Sequence, residues 1–358
     1  MKKPAPCLFV SGFLPSRRVP SGGQKLVSAV LREKAAQGPV VLLAFCNDQE
    51  RAYWDPEEFG FCEDAVVFPL TRAGRMVAAL RHPGLPLVTS ARFAAAAGWW
   101  RRNRSRGDFG EVWVEFLQGA SVLELLPRGV PSTVVVHDVL HQALERRAEG
   151  AGGWRRRWLR WEAGRTRRWE ASVLAKAGRV LTLNEKDREL IRACSGRTDV
   201  EVRYPVVDDC YRRVRRDPAR VERETLLFWG QMSRQENVDA ARWFVEAVLP
   251  RIRVMHPGVR LLIAGAAPAE GVRSLAGNGV EVLGFVEDPV TLFERVGVAV
   301  APLRLGSGIK IKVIESLAAG IPTVATPVGA EGVRPDPLLS VAETAEDFAR
   351  SCCERLAG

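Results

Sequence analysis

Short apolar segments rich in β-branched residues recur along this chain, and stretches with helical periodicity separate them. Such alternation is typical of a parallel sheet whose strands are joined by crossover helices. The first half predicts strands at Cys7–Ser11, Val40–Phe45, Ala65–Pro69, Glu111–Phe116, Thr133–His137, Arg179–Leu183 and Val200–Tyr204. The second half predicts strands at Thr225–Trp229, Val259–Ala264, Val280–Gly284, Val298–Ala301 and Pro322–Thr326. The pattern therefore predicts an α/β protein with two doubly wound sheets.

The length of 358 residues also favours two domains, because one domain typically holds about 100–200 residues. With 47% apolar and 26% charged residues, the composition excludes the disordered and disulfide-scaffold classes. Residues 206–224 are polar and basic without sustained periodicity, so we predict a linker there. We expect Rossmann-like domains at 1–205 and 225–342, facing each other across a cleft, and a C-terminal helix at 343–358. Ligands of such sheets bind outside the carboxyl ends of the strands.

The charge balance and the cysteines narrow the class of protein further. Lys and Arg number 52 against 42 Asp and Glu, and the net charge of +10 permits a phosphate-bearing ligand, nucleic acid or an anionic membrane without selecting one. The seven cysteines form no CxxC pair and have no His nearby at metal-ligand spacing, which predicts reduced structural thiols and no metal site.

The N-terminal apolar run is interrupted at Ser11 and Gly12, which favours a buried first strand over a signal peptide. No apolar run reaches the roughly 18 residues that a transmembrane helix needs. We expect a cytoplasmic protein, either free or at the inner face of the membrane.

The most informative motif follows the strand predicted at Val298–Ala301. A loop with Gly306, Ser307 and Gly308 leads into a helix for which the sequence predicts Ser307 as the N-cap and Gly320 as the stop signal. Backbone N–H groups at such a helix start can bind an anion, because glycine places no side chain in front of them.

Gly308, Lys312 and Glu315 are spaced i, i+4 and i+7, which predicts one helical face. The rise between the first and the last is about 10 Å at 1.5 Å per residue. That length matches the reach from a diphosphate to the ribose hydroxyls of a nucleotide, with a carboxylate at the far end to accept hydroxyl protons. The alternative is a Lys–Glu pair on the solvated face of a surface helix.

This motif belongs to a longer series that resembles the second domain of retaining GT-B glycosyltransferases of family 4, the group 1 type. The resemblance extends from Leu226 to Gly332. Its segments are Phe228–Gly230, Asn237–Ala240, Leu262–Gly265, Val282–Val286, Val298–Pro322, Gly320–Thr326 and Gly329–Gly332.

The resemblance implies a donor site for a nucleoside diphosphate sugar, such as a UDP or GDP sugar. By analogy with the family, Glu315 binds the ribose, while the glycine-rich loop and Lys312 face the diphosphate. The backbone of Gly284, Phe285 and Val286 resembles the part of the family domain that contacts the base. Gly230 matches a family glycine in the loop after the first strand of that domain. The family uses neither a metal nor another cofactor for this chemistry.

Three positions depart from the usual family pattern. Ser307 stands where many members have a second acid, and Gln231 and Glu236 stand where many have Arg and Lys. We interpret these changes as those of a variant subgroup. The diphosphate charge must then be met by Lys312, with Lys310, Arg304 or Arg234 as candidate helpers.

The first half resembles the family more weakly. Gly22 and Gly23 follow the first strand and open a helix, either as a backbone N–H site for a sugar phosphate or acceptor or as a tight turn only. His137 ends a predicted strand and matches a family histidine near the donor sugar, where it would bind the sugar or polarise the leaving group. His141 is a second candidate, and Asp138 could cap the following helix.

Two segments, 99–106 and 154–168, combine Trp with Arg. Trp154, Trp158 and Trp161 have helical spacing, which predicts a stripe that packs on the domain beneath a solvated Arg face. The alternative is peripheral attachment to an anionic membrane, which would bring the cleft to a lipid-linked acceptor. The charge alone would also suit nucleic acid, but no nucleic-acid-binding module accompanies it, so we expect no nucleic-acid partner.

Together these features predict an enzyme that transfers a sugar, with retention of anomeric configuration, to a glycan, lipid-linked or small-molecule acceptor in cell-envelope or natural-product assembly. A non-catalytic scaffold or partner subunit of the same fold is the alternative, because a fold does not fix an activity. A phosphorylase that uses pyridoxal phosphate is disfavoured, since the glycine-rich loop and Glu315 suit a nucleotide. Family members usually continue with further helices after residue 350, so we expect looser hinge control here.

Overall fold

The computed structural model describes residues 5–103, 109–127 and 129–357. The chain divides into two compact units, one made of Met1–Val19 and Gly23–Tyr204 and the other of Pro20–Gly22 and Pro205–Gly358. No helix in the described ranges is long and apolar enough to cross a membrane.

The first unit is built on a seven-stranded parallel sheet in the order β3-β2-β1-β4-β5-β6-β7. Its strands are β1 (Cys7–Ser11), β2 (Val40–Cys46), β3 (Asp64–Pro69), β4 (Glu111–Glu115), β5 (Ser132–Val136), β6 (Arg179–Thr182) and β7 (Val200–Val202). Its helices are α1 (Gly22–Gln37), α2 (Arg72–Arg81), α3 (Leu87–Arg102), α4 (Leu140–Glu149), α5 (Gly153–Leu174) and α6 (Glu185–Ser195). Short 3-10 segments cover Glu50–Tyr53, Pro56–Phe59 and Leu117–Glu124.

Burial explains why these strands read as continuous apolar runs. Every residue of β1, β2 and β5 is buried, as expected for a parallel sheet covered on both faces. The core joins strand residues such as Leu8 and Val134 to Trp169 and Val173 of α5. The long α5 is therefore anchored to the sheet by one face only.

The second unit contains a six-stranded sheet in the order β10-β9-β8-β11-β12-β13, and all of its strand pairs are parallel. Its strands are β8 (Glu222–Trp229), β9 (Arg260–Ala264), β10 (Val280–Gly284), β11 (Val296–Ala301), β12 (Thr323–Ala325) and β13 (Leu339–Val341). Its helices are α7 (Asp209–Arg212), α8 (Gln235–Trp243), α9 (Leu249–Met255), α10 (Glu270–Arg273), α11 (Pro289–Arg295), α12 (Ile311–Ala318) and α13 (Ala345–Ala357), with a π-helical turn at Phe244–Val248.

The predicted α/β class with two doubly wound sheets is confirmed, and each of the predicted strands exists with ends shifted by at most a few residues. Two local predictions are wrong. Residues 206–224 are not a bare linker, because they lie in the second unit and include α7 and the first residues of β8. The strand β13 was missed, since its three residues are too few to show a periodicity.

The predicted tryptophan stripe also differs from expectation. Trp154, Trp158 and Trp161 are 79%, 41% and 56% exposed, so they do not pack on their own unit. In the other Arg/Trp segment Trp99 is buried and belongs to the core. Residues 104–106 of that segment lie outside the described residues.

Candidate active site

In each sheet the strand order reverses direction at one point, and the candidate residues of each unit lie near that point. The order β3-β2-β1-β4-β5-β6-β7 reverses between β1 and β4, and the order β10-β9-β8-β11-β12-β13 reverses between β8 and β11. Loops that leave neighbouring strands in opposite directions open a crevice at the carboxyl edge, which is where such sheets bind ligands. The relevant loops follow β1 and β4 in the first unit and β8 and β11 in the second.

In the second unit, the loop after β11 carries the glycine-rich motif. Gly306 and Gly308 have φ values of 114° and 72°, which side chains with a Cβ rarely adopt. Helix α12 begins at Ile311 with Lys310 as its N-cap, so the prediction of Ser307 as the N-cap is wrong. The reason is local, because a left-handed Gly308 cannot belong to a right-handed helix.

Since Gly308 precedes the helix, the predicted single helical face of Gly308, Lys312 and Glu315 is also wrong in part. Only Lys312 and Glu315 lie on α12, one turn apart. The predicted stop is confirmed: Gly320 has a φ of 73°, and its N–H donates to the Leu317 carbonyl while Ile321 N–H donates to Ser316. These two bonds are a Schellman motif, which ends the helix.

Two of the candidate helper cations have their charges engaged within the second unit. Lys310 is buried, and its Nζ donates to the carbonyl oxygens of Ser307 and Gly308 at 2.9 and 2.6 Å. Arg304 forms a two-bond ion pair with Asp239 at 3.1 and 2.7 Å and lies over the ring of Trp243. Lys310 therefore shapes the loop, while Arg304 joins the loop to α8.

Lys312 lies at the reversal point between β8 and β11. Its Nζ donates to Asn237 Oδ1 at 2.6 Å and lies 4.9 Å from the centre of the Phe228 ring. Gly230, the first residue after β8, has a φ of 152°, and a Cβ there would stand 2.8 Å from Lys312 Nζ. A glycine at this position is therefore what leaves room for the ammonium group.

The surroundings of Lys312 disfavour its charge. Burial lowers the pKa of Lys312 to about 7, and the positive charges of Arg234 and Lys310 act in the same direction. Arg234, the third candidate helper, precedes α8 and pairs with Glu236 at 2.6 Å, with its side chain 57% exposed. A cluster with this excess of positive charge is suited to an anionic ligand, because the anion would stabilise the protonated form.

Glu315 is buried one turn further along α12. Trp229 Nε1 donates to its Oε2 at 3.1 Å, and Trp229 in turn packs edge-on against Phe293. Burial raises the pKa of Tyr211, and the neighbouring Glu315 carboxylate adds to the effect. A carboxylate has about four lone-pair positions, so one carboxylate can accept several hydrogen bonds at once.

The predicted base-contacting segment lies at the end of β10, the edge strand of the same sheet. Gly284 has a φ of 69°, and its carbonyl accepts from Gly265 N–H at 2.7 Å. Phe285 follows and is 64% exposed. Val286 comes next in the same loop.

The first unit has a different arrangement at its reversal point. His137 follows β5, and its Nε2 lies 2.5 Å from Glu115 Oε2 at the end of the neighbouring β4. Glu115 Oε1 accepts from Trp113 Nε1 at 2.8 Å, and both members of the His–Glu pair are buried. A carboxylate only accepts, so the ring donates through Nε2, and Nδ1 is the second nitrogen with which the ring can bind a ligand.

Phe116 connects His137 to the predicted glycine loop. Its ring stacks on the imidazole with centroids 4.0 Å apart, and a Cβ at Gly23 would be 3.7 Å from the same ring. Phe116 has a φ of 67°, a strained value for a residue with a Cβ. The Gly22–Gly23 start of α1 and His137 are therefore brought together through an aromatic residue with an unusual backbone.

The other polar candidates of this unit are placed apart from that pair. His141 Nδ1 is hydrogen-bonded to Glu170 of α5, whose Oε1 accepts from Leu140 N–H. Asp138 is not the predicted helix cap, because Val139 precedes α4 and no side chain caps it. His141, Glu170 and Cys194 hold donor atoms within 4.8 Å of one another, yet burial raises the pKa of Cys194 to about 12, which disfavours the thiolate that binds metals.

Part of the second unit is similar to a known protein family. Residues 223–357 match the family model described as Glycosyl transferases group 1. Residues 223–357 form a group 1 glycosyltransferase domain. The match includes β8, the glycine-rich loop, α12 and both Lys312 and Glu315.

Solved structures extend the similarity of fold to the whole chain. Sucrose-phosphate synthase from Thermosynechococcus elongatus is 14% identical with a TM-score of 0.63, covering 99% of this chain and 94% of that one. A UDP-forming α,α-trehalose-phosphate synthase from Burkholderia vietnamiensis is 13% identical, with a TM-score of 0.64 and coverages of 99% and 90%. Anabaena HepE, solved with UDP and glucose, is 13% identical, with a TM-score of 0.61 and coverages of 97% and 89%. No curated protein sequence matches the chain. The chain therefore has the GT-B fold of these enzymes.

Sequence reasoning missed several residues of the glycosyltransferase domain and of the first unit. Asn237 and Trp229, which contact Lys312 and Glu315, were noted only as parts of longer motifs. Glu115 was given no chemical role, and Phe116 was assigned to the end of a strand. The one available signal was that Glu115 and His137 both end neighbouring strands, which puts them at the same edge of the sheet.

Proposed function

We propose that this protein transfers a sugar from a nucleoside diphosphate sugar to an acceptor hydroxyl with retention of anomeric configuration. The observation that carries the proposal is the pair of Lys312 and Glu315, one turn apart on α12, at the strand-order reversal of a group 1 glycosyltransferase domain. A cation and a buried carboxylate with this separation suit a diphosphate and the hydroxyls of a ribose.

The second unit supplies the donor site in this proposal. Lys312 and the N–H groups around Gly306 and Gly308 stabilise the charge that develops on the departing diphosphate, with Arg234 as an additional cation. Glu315 accepts hydrogen bonds from the ribose while Trp229 fixes its orientation. These groups belong to the chain itself, so the proposed mechanism routes no step through a metal or another cofactor.

The first unit supplies the acceptor side. His137 would bind a hydroxyl of the transferred sugar through Nδ1 or, with a proton on Nδ1, donate a hydrogen bond that polarises the leaving group, because Nε2 is engaged by Glu115. Glu115 is a positioning residue in this scheme, since it fixes the tautomer and the orientation of the ring without reaching the substrate. The Gly23 end of α1 lies on the other side of Phe116 and would add backbone N–H groups.

Nucleotide binding provides the direct test. A panel of nucleoside diphosphate sugars is titrated into the protein and into the Glu315→Gln variant by calorimetry. We expect the parent to bind at least one donor and the variant to bind it about 10- to 100-fold more weakly, since a ribose that lacks its charged acceptor loses about 1.5–3 kcal/mol. Gln occupies nearly the same volume as Glu, so the fold is retained.

Two results would contradict the proposal. Failure of the parent to bind any donor in the panel favours the scaffold alternative, and equal affinity of parent and variant removes Glu315 from the site. Retention is tested separately by determining the anomeric configuration of the product formed from a donor of known configuration, where inversion contradicts it.

A further inference from the structure

Helix α5 of the first unit presents three large aromatic side chains to solvent. Trp154, Trp158 and Trp161 are 79%, 41% and 56% exposed. They have spacings of i, i+4 and i+7, so they form one stripe along the helix. Single exposed apolar side chains are common, whereas three aligned tryptophans form an apolar patch of the kind that marks a binding surface.

The stripe is not the consequence of a helix that lacks a core. The C-terminal half of α5 packs in the main core of the unit through Trp169, Val173 and Leu174. Leu159 and Ala163 are buried near the exposed stripe. The apolar surface of α5 is therefore covered within the first unit along its C-terminal half, while the three tryptophans of its N-terminal half are exposed.

Arginines surround the tryptophans. Residues 154–168 contain seven Arg and a single acid, Glu162. Glu162 is buried and accepts from Leu87 N–H at 2.8 Å and from Arg165 at 3.0 Å. Arg157 and Arg168 are exposed at helical positions that continue the tryptophan stripe, so the outward side of α5 is positively charged.

Helix α2, whose connection to α3 contacts α5, also exposes large apolar side chains. Met76 and Leu80 of α2 are 69% and 81% exposed, on the side opposite the buried Ala78. The connection from α2 to α3 is held to α5, because Arg165 donates to the carbonyls of Pro83 and Leu85 at 2.7 and 2.6 Å. Residues 65–107, which include both α2 and α3, contain eight Arg and no acid.

We propose that the exposed side of α5 with Trp154, Trp158, Trp161 and its arginines, together with Met76 and Leu80 of α2, binds the surface of an anionic phospholipid bilayer. We call this the basic apolar surface. Tryptophan partitions to the headgroup level of a bilayer, aliphatic side chains enter the acyl boundary, and arginines bind the anionic headgroups. The inference does not depend on the proposed sugar transfer, because it uses no residue of the donor site or of the His137 pair.

Charge and apolar exposure together favour this occupant over two others. A nucleic acid would use the arginines and tryptophans, but it offers nothing apolar for Leu80 and Met76. A second copy in a two-fold dimer would bring the same arginines against each other, which repels. A bilayer with anionic headgroups accommodates both the charges and the apolar side chains.

The test is co-sedimentation of the full chain with vesicles. We expect binding to vesicles of phosphatidylcholine mixed with phosphatidylglycerol, weak binding to phosphatidylcholine alone, and a marked decrease at high salt, since exposed charges are screened. Replacing Arg157 and Arg168 together by Gln should lower the partition coefficient about 25-fold, because each arginine near such a surface is worth roughly fivefold. Trp154→Ser with Trp158→Ser should lower it at least about tenfold, since two apolar rings lose their burial.

Matched controls exist on the second unit. Val254 and Met255 are 79% and 72% exposed, and Arg251 and Arg273 are exposed arginines. Val254→Ser with Met255→Ser, and Arg251→Gln with Arg273→Gln, should leave vesicle binding within about twofold, because additional charges outside the contact are screened beyond a Debye length of about 8 Å. All four sets of changes affect exposed side chains, so far-UV dichroism and melting temperature should not change.

Several outcomes would overturn the inference. The first is no sedimentation with anionic vesicles at low salt. The second is an equal loss of binding in the surface variants and in their controls, which would show only a general attraction of a basic protein. The third is a protein that does not bind the vesicles but binds a single-stranded RNA tightly. The same holds for a protein that does not bind the vesicles but forms a dimer that the tryptophan substitutions dissociate.

Discussion

The two reversal points of this protein use the same topological position in different ways. In the second unit the groups at the carboxyl edge are a lysine and a glutamate on one short helix, with room for the lysine made by Gly230. In the first unit the groups are a buried His–Glu pair on neighbouring strands, covered by the ring of Phe116. The difference teaches that the second unit places a cluster of cations at this position, whereas the first unit places a buried imidazole oriented by a carboxylate.

The electrostatic contrast follows from the partners. Burial is the main reason that the charge of Lys312 is disfavoured; Arg234 and Lys310 act in the same direction, while Glu236 and Glu315 act against it. His137 is buried against the Glu115 carboxylate within its own unit. The donor side therefore should depend on charge, and the acceptor side on orientation.

Replacement of Lys312 should give the largest effect on activity and is the strongest test of the difference between the two units. In the proposed mechanism Lys312→Met should lower kcat/KM by about 100- to 1,000-fold, since it removes one preorganised cation from the developing charge of the diphosphate. Steady-state kinetics with the best donor of the panel measures the effect. The melting temperature should not fall, because burial disfavours the charge of Lys312 in the absence of ligand.

Arg304→Gln is the control for that variant. It removes a cation from the same loop, but one whose charge is already paired with Asp239. We expect kcat/KM within about threefold of the parent and a loss of stability below about 1 kcal/mol, as is usual for a half-exposed ion pair. If Arg304→Gln and Lys312→Met have equal effects, the distinction drawn between the two cations fails.

The second prediction concerns the orientation of His137. Glu115→Gln keeps the size of the side chain but can donate to the imidazole and thereby favour the other tautomer. We expect kcat to fall about 10- to 100-fold with the donor affinity unchanged, because positioning acts on the chemical step. Kinetics and calorimetry on the same preparation separate the two quantities.

Glu170→Gln provides a matched control, since it alters the other buried His–Glu pair of the unit, with His141. Both variants should lose stability, as expected when a buried pair is disrupted. Only Glu115→Gln should lower kcat. A similar loss of kcat in both would mean that the pairs act through stability alone.

The smallest expected effect is a dependence of donor binding on pH. Because the pKa of Lys312 is lowered to about 7, the free protein holds this side chain protonated below pH 7 and increasingly neutral above it. A diphosphate favours the protonated form, so binding above pH 7 takes up a proton and the affinity should decrease by up to about tenfold per pH unit. Titrations in buffers of different ionisation enthalpy count the protons, and Lys312→Met should abolish the uptake. An affinity that rises with pH in this range would contradict the assignment.

The sequence predicted much of the second unit because its signals are local. The strand, the glycine-rich loop and the stop at Gly320 depend on residues that are close along the chain, as does the one-turn spacing of Lys312 and Glu315. The error was the start of α12, since Ser307 is a favourable cap by residue type while the conformation of Gly308 and the bonds from Lys310 delay the helix to Ile311. Local preference was overridden by the geometry of the loop.

The sequence by itself determined the two doubly wound sheets and the glycine-rich loop, because hydrophobic periodicity and glycine conformation act over a few residues, whereas the strand orders and their reversal points came from the tertiary structure. Only the tertiary structure decided that Glu115 engages His137, since 22 residues separate them and the register of β4 beside β5 brings them together. It also decided that Trp154, Trp158 and Trp161 are exposed while Trp99 and Trp169 are buried. Helical spacing aligns side chains on a face, but whether that face is covered depends on which side of the helix the rest of the unit packs against.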